Sequence, residues 1–183
     1  MGIFSFLKRK EVLKEISEEE KLVLDLSQAI KNLEDFDKFI KRDQILSHTS
    51  ISLVYGGPAF VEEYEDKFRN AINWLKEAKK RIYLIEDIAK RRIKEKPESY
   101  RRSPSPEEKA KREMKEAEPL LEEVIEFIIP KIKDVGDWFN DVNEFKKRFD
   151  GLEDKISYLK KLKENIIILI DLEKKAQEEI KVK

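Results

Sequence analysis

The sequence predicts an all-α protein: two antiparallel helical hairpins forming an elongated four-helix bundle with coiled-coil-like packing, plus a short N-terminal amphipathic segment. Three observations predict this. Apolar residues recur at helical spacing through most of the 183 residues. Charged residues make up 43% of the chain and hydrophobic ones 40%, the balance of long amphipathic helices rather than of a disordered chain. The five glycines and six prolines fall largely at a few breakpoints, which divide the chain into helix-length pieces.

Residues 1–16 form the amphipathic segment. Ile3, Phe4, Phe6 and Leu7 are followed directly by Lys8, Arg9 and Lys10, a pattern suited to peripheral anchoring on an anionic membrane surface. The same four side chains also suit an extra turn folded back onto the bundle, continuing through Val12, Leu13 and Ile16. A signal peptide is not expected, because the apolar part is short and its charges follow it. Myristoylation is not expected either, since Phe6 stands where Ser or Thr is required. No stretch approaches the roughly 18–20 apolar residues of a membrane-spanning helix.

The first hairpin is expected over 17–96. Ser17-Glu18-Glu19-Glu20 reads as a capping box, in which the hydroxyl and the fourth residue's carboxylate satisfy two backbone amides. Leu22, Leu26, Ala29, Leu33, Phe36 and Ile40 then step by three and four, predicting a helix over about 18–47. Gly56-Gly57-Pro58 breaks the chain. A second helix over about 58–96 follows from Val61, Phe68, Leu75, Ile82 and Ala89 at sevenfold spacing, with Tyr64, Ala71, Ala78 and Ile85 between them.

Three prolines make 97–106 a linker. The second hairpin is expected over 107–183, and Ser105, Pro106 and Glu108 form a second capping box at its start. Its first arm runs to about Phe149, with Pro119, Pro130 and Gly136 each inviting a kink or restart. Asp150-Gly151 ends that arm. The last helix, about 152–180, carries the stripe Leu152, Ile156, Leu159, Leu162, Ile166, Leu169, Ala176 and Ile180.

The function classes narrow by exclusion. With no cysteine there is no disulfide, thiolate metal site or cysteine nucleophile, and a reducing cytoplasm fits. Glu62, Glu63 and Asp66, like Glu122, Glu123 and Glu126, are spaced to face a bundle interior. A di-metal bundle site, however, needs Glu-x-x-His motifs, and the single histidine, His48, has no such partner. No phosphate loop, nucleophile elbow or zinc motif occurs. No cofactor, metal or small-molecule substrate is indicated.

Lys+Arg and Asp+Glu are both 39, so any electrostatic function is local. The densest cationic run is Lys90, Arg91, Arg92, Lys94, Lys96, Arg101 and Arg102, a candidate phosphate-binding stripe for RNA or DNA. Its structural counterpart is the C-terminal dipole of the second helix, set beside the acidic start of the first.

The run Arg42-Asp43-Gln44-Ile45-Leu46-Ser47-His48 resembles the Arg-polar-x(n)-His signature of HEPN-type ribonucleases, which are also all-helical. The resemblance implies metal-independent RNA cleavage, with Arg42 and His48 acting at a dimer interface on the 2′-hydroxyl and scissile phosphate. In that family the motif usually lies on a late helix, whereas here it closes the first. The overall layout, an apolar anchor ahead of a long helical hairpin, also resembles ESCRT-III-like membrane-remodelling proteins, without their pairing of a basic half with an acidic half.

The expectation is a non-enzymatic scaffold or adaptor at the cytoplasmic membrane face. Its partners would be proteins or further copies docking on helical seams, together with an anionic membrane surface. A nucleic-acid-associated protein using the 90–102 patch is the alternative, and the Arg42/His48 ribonuclease is its enzymatic extreme.

Overall fold

The computed structural model describes residues 16–41, 58–95, 105–135 and 142–181. Five helices cover them: α1 (Glu18–Ile40), α2 (Pro58–Glu95), α3 (Pro106–Asp134), the short α4 (Val142–Arg148) and α5 (Leu152–Lys181). The described residues are helical with no strand, and the four long helices pack against one another. α1 contacts α2 and α5, and α3 contacts the same two.

Both predicted capping boxes form. The Ser17 hydroxyl accepts from the Glu20 amide at 3.1 Å, and the Glu20 carboxylate accepts from the Ser17 amide at 3.1 Å. At the head of α3 the corresponding Ser105–Glu108 distances are 3.3 and 3.0 Å. Each box satisfies two amides that a helix start would otherwise leave without acceptors. α1 is capped at Lys41, whose amide donates to Asp37; the expected continuation to residue 47 lies outside the described residues.

Of the three expected kinks or restarts, neither proline interrupts the third helix, whereas its end falls beside Gly136. Pro119 and Pro130 lie inside α3, which continues through both as one helix. Both prolines are exposed, as are Lys115 and Glu126 four residues before them. The carbonyls that lose an amide partner are thus on the solvent side, where water replaces the missing bond. α3 ends at Asp134 with Val135 as its cap, next to the expected breakpoint at Gly136. Gly151, at φ +87°, makes the turn into α5, a conformation that residues with a Cβ rarely adopt.

Where their side chains are described, the predicted stripes form the core, with Tyr64 half-buried against it; Val61, Ala176 and Ile180 are not among the side chains described. Leu22, Leu26, Ala29, Leu33 and Phe36 of α1 are buried beside Phe68, Ala71, Leu75, Ala78, Ile82, Ile85 and Ala89 of α2. From α3 come Ala110, Met114, Ala117, Leu121, Val124, Ile125 and Ile128, and from α5 Leu152, Ile156, Leu159, Leu162, Ile166 and Leu169. Phe36 sits at the centre of an aromatic cluster. Its ring centroid lies 4.7 Å from Phe68, 4.7 Å from Phe149, 5.2 Å from Tyr64, 6.1 Å from Phe39 and 6.3 Å from Phe145. Tilted and edge-on rings at these separations add attraction beyond the area they bury.

Phe36→Ala removes a fully buried ring that touches α1, α2, α4 and the turn after α4. Its unfolding free energy, measured in urea, is expected to fall by about 3–5 kcal/mol.

Candidate functional site

The seams between helices are where polar side chains meet, and they differ. Between α1 and α2, Arg81 donates through Nε to Asp25 at 2.6 Å and through Nη1 to Glu18 at 2.8 Å. Asp25 is only 4% exposed, so one guanidinium satisfies a buried carboxylate and a second acid two turns away. Lys67 adds a pair with Asp35 at 3.5 Å further along. Between α1 and α5, Lys174 meets Glu20 at 3.2 Å, Lys160 meets Glu34 at 2.5 Å and Lys41 meets Glu153 at 2.7 Å. Between α2 and α3, Lys79 pairs with Glu122, and the Tyr83 hydroxyl donates to Glu118.

These contacts shift several groups. The hydrogen bond from Lys21, with a further one from Arg81, holds the Glu18 carboxyl below its ordinary value, against the opposing effect of burial. Lys41 does the same to Glu153, and Asp25 raises Arg81 further.

The fourth seam, between α3 and α5, is pinned only along part of its length. Lys155 pairs with Glu123, and the Asn165 amide donates to Glu113 at 3.2 Å. Past Asn165, no ion pair joins Lys109 or Arg112 to α5 among the described residues. A groove of about 240 Å³ opens there, with Ile168, Leu169 and Leu172 as its apolar wall and Lys109 and Arg112 on its rim. Ile168, at 56%, is the most exposed large hydrophobic residue described.

The residues singled out from sequence are distributed as follows. The anchor residues Ile3, Phe4, Phe6, Leu7, Lys8, Arg9 and Lys10 lie outside the described residues, as do Arg42 and His48. Of the basic patch, Lys90, Arg91, Arg92 and Lys94 are described and exposed on α2, whereas Lys96, Arg101 and Arg102 are not described. Three of the four carry acidic partners: Lys90 with Glu86 at 2.8 Å, Arg91 with Asp87, and Arg92 with Glu173 of α5 at 3.5 Å.

The two carboxylate groups face the seams and surface, not a bundle interior. Glu62, Glu63 and Asp66 are exposed, and Glu126 is exposed beside the half-buried Glu122. Among the described residues no cluster of acids or histidine is arranged to hold a metal ion. No helix among them is long and apolar enough to cross a membrane.

Two features were missed from sequence. The Arg81–Asp25 pair joins residues far apart in the chain, and Asp25 stands on the edge of its stripe, where its burial depends on the packing of α2. The α3–α5 groove left a faint trace in the run Ile166-Ile167-Ile168, which is wider than one buried stripe requires. Comparison with protein-family models, curated proteins and solved structures finds no match to this chain.

Two predictions follow from the seams. Arg81→Ala leaves Asp25 buried without its cation and is expected to cost about 2–4 kcal/mol in urea unfolding, whereas Asp25→Leu with Arg81→Leu together recovers most of that loss. Because Glu18 and Glu153 are depressed in the folded state, their contribution is present above the ordinary carboxyl value of 4.5. It is lost as pH falls through the lower folded values. The thermal midpoint should therefore drop below that pH, and drop less steeply in Glu18→Gln.

Proposed function

We propose that the protein is a non-enzymatic helical scaffold or adaptor, held at an anionic membrane surface by residues 1–10 and presenting its seams to protein partners. In this reading its long helices form two antiparallel hairpins in one elongated bundle with coiled-coil-like packing. At 1.5 Å per residue, the 38 residues of α2 make a rod on the order of 57 Å long.

The observation that carries the reading is the position of the chain's start. Ile16, the first described residue, is 48% exposed, and it immediately precedes the capped first turn of α1. That turn is linked to the end of α5 by Glu20–Lys174, and the end of α5 is linked to the end of α2 by Glu173–Arg92. The segment carrying Phe4, Phe6 and Lys8–Lys10 therefore leaves from the end of the molecule that also presents Lys90, Arg91, Lys94, Lys174 and Lys175, all exposed. Apolar side chains that enter an interface and cations that meet anionic headgroups reinforce each other when they share one end.

The binding is weak per copy. Each cation near an anionic bilayer contributes about 1 kcal/mol. A fully buried large apolar side chain contributes at most ~1.5–3 kcal/mol, and shallow insertion gives less.

Sedimentation with anionic and with neutral vesicles tests this, using the whole chain and a form lacking residues 1–10. The whole chain is expected to pellet with anionic vesicles alone, and the shortened form to stay in the supernatant. Equal pelleting of the two forms would defeat the proposal.

A further inference from the structure

From the open end of the α3–α5 seam we infer that this groove is the docking site for the chain's own residues 1–15, held there as an additional amphipathic turn or helix when no membrane is present. The docking itself stands apart from the membrane reading. It adds to that reading a second place for the same apolar side chains.

The argument begins with what the seam lacks. The α3–α5 seam is bridged at Lys155–Glu123 and Asn165–Glu113, but past Asn165 no ion pair joins Lys109 or Arg112 to α5 among the described residues. What it offers past Asn165 is apolar wall, the half-buried Leu172 and the exposed Ile168. Exposed aliphatic surface in a groove gains from being covered.

Position and length single out the occupant. Leu172 is two residues from Lys174, the residue that holds the first turn of α1 through Glu20. The segment outside the described residues ends at Glu15, and Ile16, the first described residue, stands about one helical turn before Glu20. Because α5 packs between α1 and α3, the groove is separated from Ile16 by roughly the width of one helix, about 10–12 Å. A few extended residues at about 3.3 Å each cross that distance, which leaves Ile3 to Leu13 free to lie along the seam. Tethering so short a segment gives it a local concentration on the order of millimolar.

Charge sets the orientation. Residues 8–10 are all cationic, and Glu164 and Asp171 lie four residues before and three after Ile168, on its face of α5. Both acids are exposed and have no ion-pair partner among the described residues. Lys109 and Arg112 line the opposite rim on α3. The cations of the segment are therefore favoured on the α5 side, with Phe4, Phe6 and Leu7 turned toward Ile168 and Leu172.

The chain contains no cysteine, so paired substitutions report proximity directly. The intact chain would carry Phe4→Cys with Ile168→Cys, or Phe6→Cys with Leu172→Cys. As a control, Phe4→Cys would be paired with Asn73→Cys on the exposed face of α2. Mild oxidation without lipid is followed on non-reducing gels, with circular dichroism to show that helicity is retained.

The expected result is an intramolecular disulfide in at least one groove pair, formed about tenfold or more faster than in the control and independent of protein concentration. Equal rates in groove and control pairs would overturn the inference. So would disulfide-linked dimers forming faster at higher concentration, which would assign the groove to a second copy. Since no vesicle is present, failure here leaves the membrane proposal standing, and failure of vesicle binding leaves this one standing.

Discussion

The packing of Phe36 against five other aromatic rings is the contact on which the rest of the arrangement depends. α1 supplies Phe36 and Phe39, α2 supplies Tyr64 and Phe68, α4 supplies Phe145, and the turn that follows supplies Phe149. These rings come from stretches separated by most of the chain, so their burial fixes where the start of α5 lies relative to the end of α1. Lys41–Glu153 crosses the same junction at the surface. Large rings with few rotamers interlock in few ways, and this end of the molecule is thereby closed.

Away from that cluster the core becomes smaller in grain. α2 turns alanine inward at positions 78 and 89, and α3 does so at 110 and 117, with the adaptable Met114 between them. Alanine lets helices approach but fills little volume, so alignment there relies more on polar contacts across the seams. Arg81 with Asp25 and Glu18 supplies such a contact for α1 and α2. A buried carboxylate with one partner penalises any slip in register, since a shifted helix would leave the charge unpaired. Among the described residues α3 and α5 have no equivalent past Asn165, and that is where the groove opens. The closed aromatic end and the open alanine-rich end are two outcomes of the same distribution of side-chain size.

Much of this was legible in the sequence, for physical reasons. Capping boxes and heptads are local: Ser17 and Glu20, or Phe68, Leu75 and Ile82, carry their meaning within one or two turns. The helix starts at 18 and 106 and the buried stripes could accordingly be read directly. The prolines were harder. Pro119 and Pro130 cost a helix least where water can reach the freed carbonyls, and which face they occupy depends on how α3 rotates against α2 and α5. The seam contacts were hardest, because Arg81–Asp25 or the gap beside Ile168 exists only once helices from distant stretches are brought into register. The 90–94 cations show the same limit: they were visible as a run, but Glu173, which pairs with Arg92, lies on another helix.

That limit bears on how one segment could serve two surfaces. Phe4, Phe6 and Leu7 cannot occupy the groove and a bilayer at once, so the outcome is set by the difference between the two affinities and not by either alone. In the groove the apolar side chains would meet a short wall of three aliphatic residues, and the cations would meet two carboxylates. At an anionic bilayer the same side chains would meet a deeper apolar phase, and each cation would gain about 1 kcal/mol from the headgroup layer. The apolar contributions would be of one kind in both places, so under these proposals the charge density of the membrane would decide between them. A neutral surface would leave the segment on its own bundle. A sufficiently anionic one would draw it away and uncover Ile168 and Leu172 at the moment the protein reaches the membrane, where a partner helix would find an open seam.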